Sequence, residues 1–206
     1  MLRSRAVKLA IAAACVLLVI AAGSERFLEL DAEIAVWIRA HAASENTNVA
    51  LGLTILGSNP LALGVVVLAA IAFAVKRWWR DLALLTASVI GGIQINPRLK
   101  DFFDRPRPFF EGQALTFPGA SFPSGHAMTA TALWIALLLI ALPRLSPPRR
   151  PWAMATAVAI VGVVALTRIY LGAHYLTDVL GGVAFGLLWL ALCDAAVRTI
   201  AKSERA

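Results

Sequence analysis

Six apolar stretches constrain what this chain can fold into. They run over residues 7–23, 48–75, 82–99, 126–142, 151–167 and 175–197. Hydrophobic residues make up 60% of the 206 positions and charged residues 15%, well below the ~25% charged residues of ordinary globular domains. Because about 17 to 25 apolar residues cross a bilayer as a helix, we predict an all-α integral membrane bundle of six transmembrane helices. No linker divides the chain, so residues 1–206 are expected to form a single domain.

The basic residues between the stretches predict how the chain is oriented. With both termini cytoplasmic, twelve lysines and arginines fall on the inner side and seven on the outer side, in agreement with the positive-inside rule. We therefore expect a multi-pass protein of the cell inner (plasma) membrane. The net charge of +7 lies in these short clusters and not along one face, which argues against a nucleic-acid partner.

The N-terminal region and the cysteines give further expectations. The first stretch also fits a cleaved signal peptide, since a basic start precedes a short apolar core ending in AAGS. Cys15 and Cys193 lie inside apolar stretches, so we expect buried thiols and neither a disulfide nor a zinc site. The segment after the first stretch predicts a helix on the outer membrane surface, because apolar residues recur at helical spacing: Leu30, Ile34, Trp37 and Ile38.

The loop between the fifth and sixth stretches, TRIYLGAHYLTD, holds a histidine and an aspartate one helical turn apart. If a helix starts near Ala173, His174 and Asp178 share one face. A carboxylate that accepts the proton of one ring nitrogen leaves the lone pair of the other nitrogen free to attack. His174 is therefore a candidate nucleophile oriented by Asp178. The alternative is a histidine that only donates to a helical neighbour in a polar membrane interior.

Three cations from separate stretches reach the same outer face in this topology: Lys100, Arg107 and Arg168. A guanidinium group binds phosphate oxygens through two hydrogen bonds, and a lysine adds a point charge. Beside a nucleophilic histidine, such a cluster indicates phosphoryl chemistry. The alternative role of each cation is anchoring to anionic headgroups.

The tetrapeptide PSGH, from Pro123 to His126, opens the fourth stretch on the same face. Ser124 is a favourable N-cap, Gly125 allows close approach of the backbone to a ligand, and the free amides of the first turn point outward at an anion. His126 lies in that turn and reaches the same ligand. The alternative is an ordinary capped helix start.

Taken in order, the three clusters resemble the motifs of the type 2 phosphatidic acid phosphatase family, whose superfamily includes vanadium haloperoxidases and bacterial acid phosphatases. The first motif is a lysine, six residues and Arg-Pro, as at Lys100 and Arg107; the second is Pro-Ser-Gly-His. The third is an arginine, five residues, a histidine, three residues and an aspartate, ending here at Asp178. The motif usually opens with a serine. Here Thr167 stands in its place and retains the hydroxyl.

The resemblance implies a metal-independent phosphatase without a cofactor. His174 would attack phosphorus to give a phosphohistidine, Asp178 would hold the imidazole, and His126 would protonate the leaving oxygen and then help water cleave the intermediate. The phosphoryl oxygens would be bound by five residues: Lys100, Arg107, Ser124, Gly125 and Arg168. Most of the catalysis would then arise from positioning and charge stabilisation.

A site at the membrane mouth on the extracytoplasmic (periplasmic) side favours a membrane lipid substrate. Phosphatidic acid, phosphatidylglycerol phosphate and undecaprenyl phosphate or pyrophosphate all fit. A phosphotransferase would pass the same phosphoryl group to another acceptor, a haloperoxidase would hold vanadate but is typically soluble, and a scaffold or channel would lack the His–Asp pair or the cations. The phenylalanines of the outer loop form either a lipid-guiding rim or an interfacial belt: Phe102, Phe103, Phe109, Phe110, Phe117 and Phe122.

Overall fold

The computed structural model describes residues 5–42, 44–110 and 115–203, and every regular element within these ranges is helical. This confirms the predicted all-α class. Arg3 and Arg205, two of the basic residues assigned to the inner side, lie outside these ranges. The helices are α1 (Arg5–Gly23), α2 (Glu25–His41), α3 (Thr47–Thr54), α4 (Asn59–Val75), α5 (Trp79–Phe103), α6 (Gly125–Ala130), α7 (Ala136–Ala141), α8 (Arg150–Tyr170) and α9 (Leu176–Ser203).

Three helical runs within the described ranges are long and apolar enough to cross a membrane: Gly125–Arg144, Pro147–Tyr170 and Leu176–Ile200. The first of these joins α6 and α7 through a π-helical turn, Thr131–Ile135. A fourth span is formed if α3 and α4, which are bent by 42° at their junction, are taken together. The architecture is that of a multi-pass membrane protein, while six spans with both termini cytoplasmic remain a prediction.

The second apolar stretch is broken where the sequence predicted continuity over 48–75. Ser58 has an extended backbone and its hydroxyl caps α4 by accepting from the Leu61 amide at 3.4 Å, with Pro60 in the first turn. Serine followed shortly by proline is a helix-start signal even inside an apolar run. The break places Gly57 against the main chain of His126, where a β-carbon would lie 2.7 Å from the carbonyl oxygen.

The third apolar stretch continues beyond its predicted end at residue 99. Helix α5 runs to Phe103, so Lys100 lies in its last turn and not in the following loop. Asp104 ends the helix with a left-handed backbone, φ 41°. The extension places Lys100 at the same end of the bundle as the start of α6. A cation is also favourable near a helix C-terminus.

Helix α9 lies at the centre of the bundle and packs against α1, α5, α6 and α8. Two glycines let it approach α6 closely: a β-carbon on Gly182 would lie 2.5 Å from the Ser124 carbonyl oxygen, and one on Gly186 would lie 2.9 Å from Thr131. Small residues one helical turn apart allow such backbone contact between membrane helices. The close approach brings the PSGH segment directly onto the first turns of α9.

The largest apolar cluster fills the space between α4, α5, α7 and α9. Its fully buried members include Ala62, Leu85, Leu133 and Leu190. This cluster fixes the direction of the four helices, so the end of α5, the starts of α6 and α9, and the end of α8 meet at one end of the bundle. Cys15 and Cys193 are buried, as predicted.

The segment after α1 forms the predicted helix, α2, but its buried face differs from its apolar stripe. Trp37 is 63% exposed and Leu30 is 46% exposed, whereas Asp31 is 1% exposed. Helix α2 contacts α8 and α9, and it does so through the face that carries Asp31 and Ala35. An acidic side chain therefore points into the bundle from a helix expected to lie on its surface.

Candidate active site

His174 and Asp178 are brought together by the turn between α8 and α9. Gly172 has a left-handed backbone, φ 67°, and the amides of Gly172 and Ala173 donate to the carbonyls of Ile169 and Arg168. This is the bonding pattern of a Schellman motif, which reverses the chain directly after a helix. His174 follows at once, and α9 begins two residues later.

The His174 ring lies beside the Asp178 carboxylate, with Nδ1 3.5 Å from Oδ2. That distance is within ion-pair range but longer than a good hydrogen bond, and Nδ1 has no hydrogen-bond partner in the described structure. Asp178 Oδ2 accepts from the Tyr175 amide at 2.8 Å, which fixes the carboxylate at the start of α9. The other ring nitrogen, Nε2, lies 3.3 Å from Nη1 of Arg107.

The protonation state of His174 follows from its surroundings. Burial lowers the pKa of its imidazole to about 4, against the opposing effect of Asp178. The nearby charges of Arg107 and Lys100 contribute to this lowering of the pKa. The ring is therefore neutral near pH 7, which is the state that a nitrogen nucleophile requires.

The PSGH segment is tied to α9 through its backbone. The Ser124 amide donates to the Asp178 carbonyl at 2.9 Å, and Ser124 stands at the N-cap position with an extended backbone. Its hydroxyl is buried and makes no capping bond or other hydrogen bond in the described structure. The side chain predicted to cap the helix is thus left available to a ligand.

Gly125 and His126 follow at the start of α6. The space that a β-carbon on Gly125 would fill is occupied by the Asn96 side chain, 2.9 Å away, so the absence of a side chain at Gly125 makes room for Asn96. Asn96 in turn donates to the Pro123 carbonyl at 3.3 Å. His126 lies within electrostatic range of His174 and of the three predicted cations.

Lys100 and Arg107 hold the loop between α5 and α6 with some of their donors. Lys100 Nζ donates to the carbonyls of Ala120 and Ser121. Arg107 Nε donates to the Gly119 carbonyl at 2.8 Å, and its Nη1 donates to the Ala173 carbonyl at 2.7 Å. Arg107 thus links this loop to the turn that carries His174.

Arg168 reaches the site from the end of α8. It is buried, its Nη1 lies 3.3 Å from the Thr54 hydroxyl, and its Nε has no partner in the described structure. The Phe117 ring lies 5.1 Å from its guanidinium carbon, and Phe117 also faces Arg107 at 6.0 Å. One aromatic ring therefore covers both arginines.

Some buried side-chain atoms have no hydrogen-bond partner in the described structure. Three of them belong to residues that the sequence motifs predicted for the site: Ser124 Oγ, Arg168 Nε and His174 Nδ1. Buried polar groups are normally hydrogen-bonded, and each exception calls for an explanation. A tetrahedral anion beside them would accept from the hydroxyl and the guanidinium. Among the described residues there is no group of three or more His, Cys, Asp or Glu side chains placed to hold a metal ion.

Two residues that the sequence analysis did not assign to the site are among its most buried charges. Arg105 donates to Asp178 Oδ1 at 2.7 Å and to Asp31 Oδ2 at 2.8 Å. The Thr177 amide donates to Asp31 Oδ1 at 3.1 Å. The available signal was an aspartate inside the amphipathic segment of α2 and a second arginine in the DRPRP sequence, but neither spacing predicts that the two meet.

The loop phenylalanines do not act as one rim or belt. Phe102 and Phe109 are 80% and 88% exposed. Phe122 is fully buried and packs edge-on against Phe103, 4.9 Å between ring centroids. A cavity of about 350 Å³ beside Arg107 is lined by Phe109, Phe110 and Phe117.

The fold and the site define a helical membrane protein with a buried His–Asp pair set among cations, and comparison with known proteins identifies its family. The profile of the PAP2 superfamily matches residues 77–201. The chain belongs to the PAP2 superfamily, as its three motifs predicted.

Individual relatives agree with this assignment. Phosphatidylglycerophosphatase B of Bacillus subtilis (strain 168) is 36% identical over 143 residues, which cover 66% of this chain and 68% of the relative. A lipid A 1-phosphatase of Rhizobium etli is 34% identical over 128 residues, covering 58% of this chain and 50% of the relative. The crystal structure of a transmembrane PAP2 type phosphatidylglycerolphosphate phosphatase from Bacillus subtilis superimposes with a TM-score of 0.83 at 27% identity, covering 94% of this chain and 96% of that one.

Proposed function

We propose that this protein is a metal-independent membrane lipid phosphatase that works through a phosphohistidine at His174, on the extracytoplasmic side of the inner membrane. The observation that carries the proposal is a neutral, buried imidazole with a carboxylate at one nitrogen and a guanidinium at the other. This environment favours a nitrogen nucleophile next to a bound anion.

In the proposed reaction, Nε2 of His174 attacks phosphorus and forms an N–P bond while the P–O bond to the lipid breaks. Asp178 balances the positive charge that develops on the ring, since its Oδ2 faces Nδ1. His126 gives a proton to the leaving oxygen. A water molecule then loses a proton to His126 and attacks phosphorus, which releases inorganic phosphate and restores His174.

The phosphoryl oxygens are proposed to lie between Lys100, Arg107 and Arg168, with the Ser124 hydroxyl and the Gly125 amide completing the cradle. With Arg105, four cations lie at this end of the bundle, against the two buried carboxylates of Asp31 and Asp178. The excess positive charge suits a phosphate dianion. Preorganised donors of this kind supply much of the rate enhancement in phosphoryl transfer.

A lipid phosphate is the substrate class that the surroundings favour. The cavity beside Arg107 has phenylalanine walls, so an anionic headgroup can be paired with an apolar tail. Phosphatidylglycerol phosphate is the first substrate to test, because a relative that covers 66% of this chain and a solved structure that covers 94% of it are named for it. Phosphatidic acid and undecaprenyl pyrophosphate are the natural comparisons.

The test is phosphate release by the purified protein in liposomes, with each of the three lipids and with a chelator present. We expect turnover of at least one lipid in chelator, and a loss of about 10³-fold or more in His174→Ala. A transient protein-bound phosphate that is labile in acid and stable in base is expected from labelled substrate. The chain offers a matched control, His41→Ala, because His41 is exposed and bonds only to the Trp37 carbonyl among the described contacts.

Two results would contradict the mechanism. Phosphate release by His174→Ala at the wild-type rate would show that His174 is not the nucleophile. Loss of activity on chelation would show that the reaction needs a metal ion. Transfer of the labelled phosphate to an added alcohol or second lipid in place of water would make the protein a phosphotransferase.

The proposed face of the membrane is tested by labelling single cysteines in intact cells. In a background lacking Cys15 and Cys193, Phe109→Cys places a thiol beside the site and Ser146→Cys places one in the exposed turn at the opposite end. An impermeant maleimide should label Phe109→Cys in intact cells and Ser146→Cys only after the membrane is opened. The reverse pattern would put the site on the cytoplasmic face.

A further inference from the structure

Asp178 carries two different contacts on its two carboxylate oxygens. Oδ2 faces His174 and accepts from the Tyr175 amide, while Oδ1 accepts from Arg105 at 2.7 Å. A carboxylate held on both oxygens cannot rotate about its Cβ–Cγ bond without losing a charge-assisted hydrogen bond. The direction in which Oδ2 points at His174 therefore depends on Arg105.

Arg105 is itself held from α2 and α9. Its Nη2 donates to Asp31 Oδ2 at 2.8 Å and its Nη1 donates to the Thr177 hydroxyl at 2.7 Å. Its guanidinium carbon lies 4.6 Å from the centre of the Tyr175 ring. Asp31 also accepts from the amide and the hydroxyl of Thr177, so one carboxylate fixes both the arginine and the first turn of α9.

From these contacts we infer that Asp31 and Arg105 are positioning residues that hold Asp178 in the orientation His174 requires. The inference rests on the proposed function and adds two residues to its machinery, one of them on a helix outside the three motifs. Both residues are buried, and their ion pairs are with each other and with Asp178, while Arg105 Nε has no hydrogen-bond partner in the described structure.

Charge balance explains why the His174–Asp178 pair needs Asp31 in addition to Arg105. An arginine paired only with Asp178 would cancel the negative charge that must balance the imidazole once it carries phosphorus. With Asp31 as a second partner, Arg105 is already neutralised and Asp178 keeps its charge for His174. Arg105 therefore orients the Asp178 carboxylate without cancelling its negative charge.

A purely structural role is the competing explanation, and the chain holds a matched control for it. Asp194 is a buried aspartate that pairs with Arg198 at 2.7 Å near the other end of α9. Because Arg105 is buried whereas Arg198 is about half exposed, Asp31→Asn should cost more thermal stability than Asp194→Asn, and turnover is therefore compared per folded enzyme. Only Asp31→Asn should change turnover.

The experiment measures kcat and KM for phosphate release from the best lipid substrate with wild type, His174→Ala, Asp31→Asn and Asp194→Asn. Asp31→Asn is expected to lower kcat about 10- to 100-fold, by analogy with the loss on removing the hydrogen-bond partner behind a metal-ligating histidine, with KM changed less than about twofold. Asp31→Glu, which keeps the charge, should recover most of kcat. Asp194→Asn should keep wild-type kcat.

The decisive measurement repeats Asp31→Asn in the Asp178→Asn background. If Asp31 acts through Asp178, the second substitution should lower kcat by less than about twofold there, because coupled residues are not additive. The full 10- to 100-fold loss in that background would overturn the inference, as would wild-type kcat in Asp31→Asn. If Asp31→Asn does not fold, Arg105→Lys replaces it, since one ammonium cannot bridge both carboxylates and the same coupling is expected.

Failure of the proposed function would be visible separately. A wild type without His174-dependent phosphate release would overturn both the function and the inference. A wild type with His174-dependent release and an Asp31→Asn variant of equal kcat would overturn the inference alone.

Discussion

The two ends of the helical bundle both use arginine and aspartate, but they satisfy the charges differently. At the end formed by the start of α5 and the ends of α7 and α9, Arg144 pairs with Asp81 and Arg198 pairs with Asp194. Each of these arginines has its own carboxylate. At the other end, Arg105 shares two carboxylates while Arg107 and Arg168 have hydrogen bonds only to neutral groups among the described contacts.

The difference separates charge that serves the fold from charge that serves a ligand. Arg198 binds Asp194 one helical turn away on the same helix, a local contact of small energetic value. Arg168 is buried with one nitrogen unpartnered, which is costly unless an anion completes the set. Buried cations and buried donors without a partner in the described structure therefore mark the functional end of the molecule.

The largest expected effect on activity comes from removing one arginine, and the comparison is tested by removing one from each end of the bundle. Arg168→Ala should reduce kcat/KM for lipid phosphate about 10²- to 10³-fold, the usual result of removing a preorganised donor to a reacting oxyanion. Arg198→Ala should leave kcat/KM within about twofold. Steady-state kinetics of the two purified variants checks this, and equal losses would mean that the two ends do not differ as described.

The sequence predicted the parts of the site that are local in the chain. His174 and Asp178 are four residues apart and do lie together, although α9 begins at Leu176 and not near Ala173, so His174 is placed by the turn before the helix. The PSGH segment likewise carries its own turn geometry, and the three motifs together were sufficient to predict the superfamily. The break at Ser58 was also readable, because the SNP sequence is a capping signal inside an apolar run.

The remaining parts depend on contacts between distant segments. Asp31 joins the site only because α2 turns that face inward, and the exposed Trp37 shows that its apolar stripe does not select the face. A single sequence does not show that Arg105 pairs with an aspartate 74 residues earlier in the chain. The contact of Asn96 with the space beside Gly125 likewise joins distant segments, and only the tertiary fold defines it.

A smaller effect is expected from the packing that joins the two motifs at the functional end. A β-carbon on Gly182 would lie 2.5 Å from the Ser124 carbonyl oxygen, which is backbone and cannot swing aside, whereas Gly162 on α8 has open space. Gly182→Ala should push PSGH away from Asp178 and lower kcat about tenfold, since misplacing reacting groups by a fraction of an ångström to an ångström is costly. Gly162→Ala should keep wild-type kcat in the same assay; a Gly182→Ala enzyme with unchanged kcat would show that the contact relaxes without moving Ser124.

The smallest expected effect concerns pH. We expect almost no change in the protonation of His174 at the functional end. The pKa of His174 is lowered to about 4, chiefly by burial, so its ring should remain neutral as pH falls from about 8 to about 5, where an ordinary histidine becomes charged. The groups facing this ring are Asp178 from α9, Arg107 from the loop, Lys100 from α5 and His126 from α6; the aspartate favours protonation and the cations oppose it. NMR titration of ring-labelled histidine, with His41→Gln and His126→Gln used to assign the His174 signal, should show no midpoint for His174 above about pH 5. A midpoint near the ordinary value of about 6.5 would mean that water reaches the ring, and the buried cations that distinguish this end of the bundle would then be screened by water.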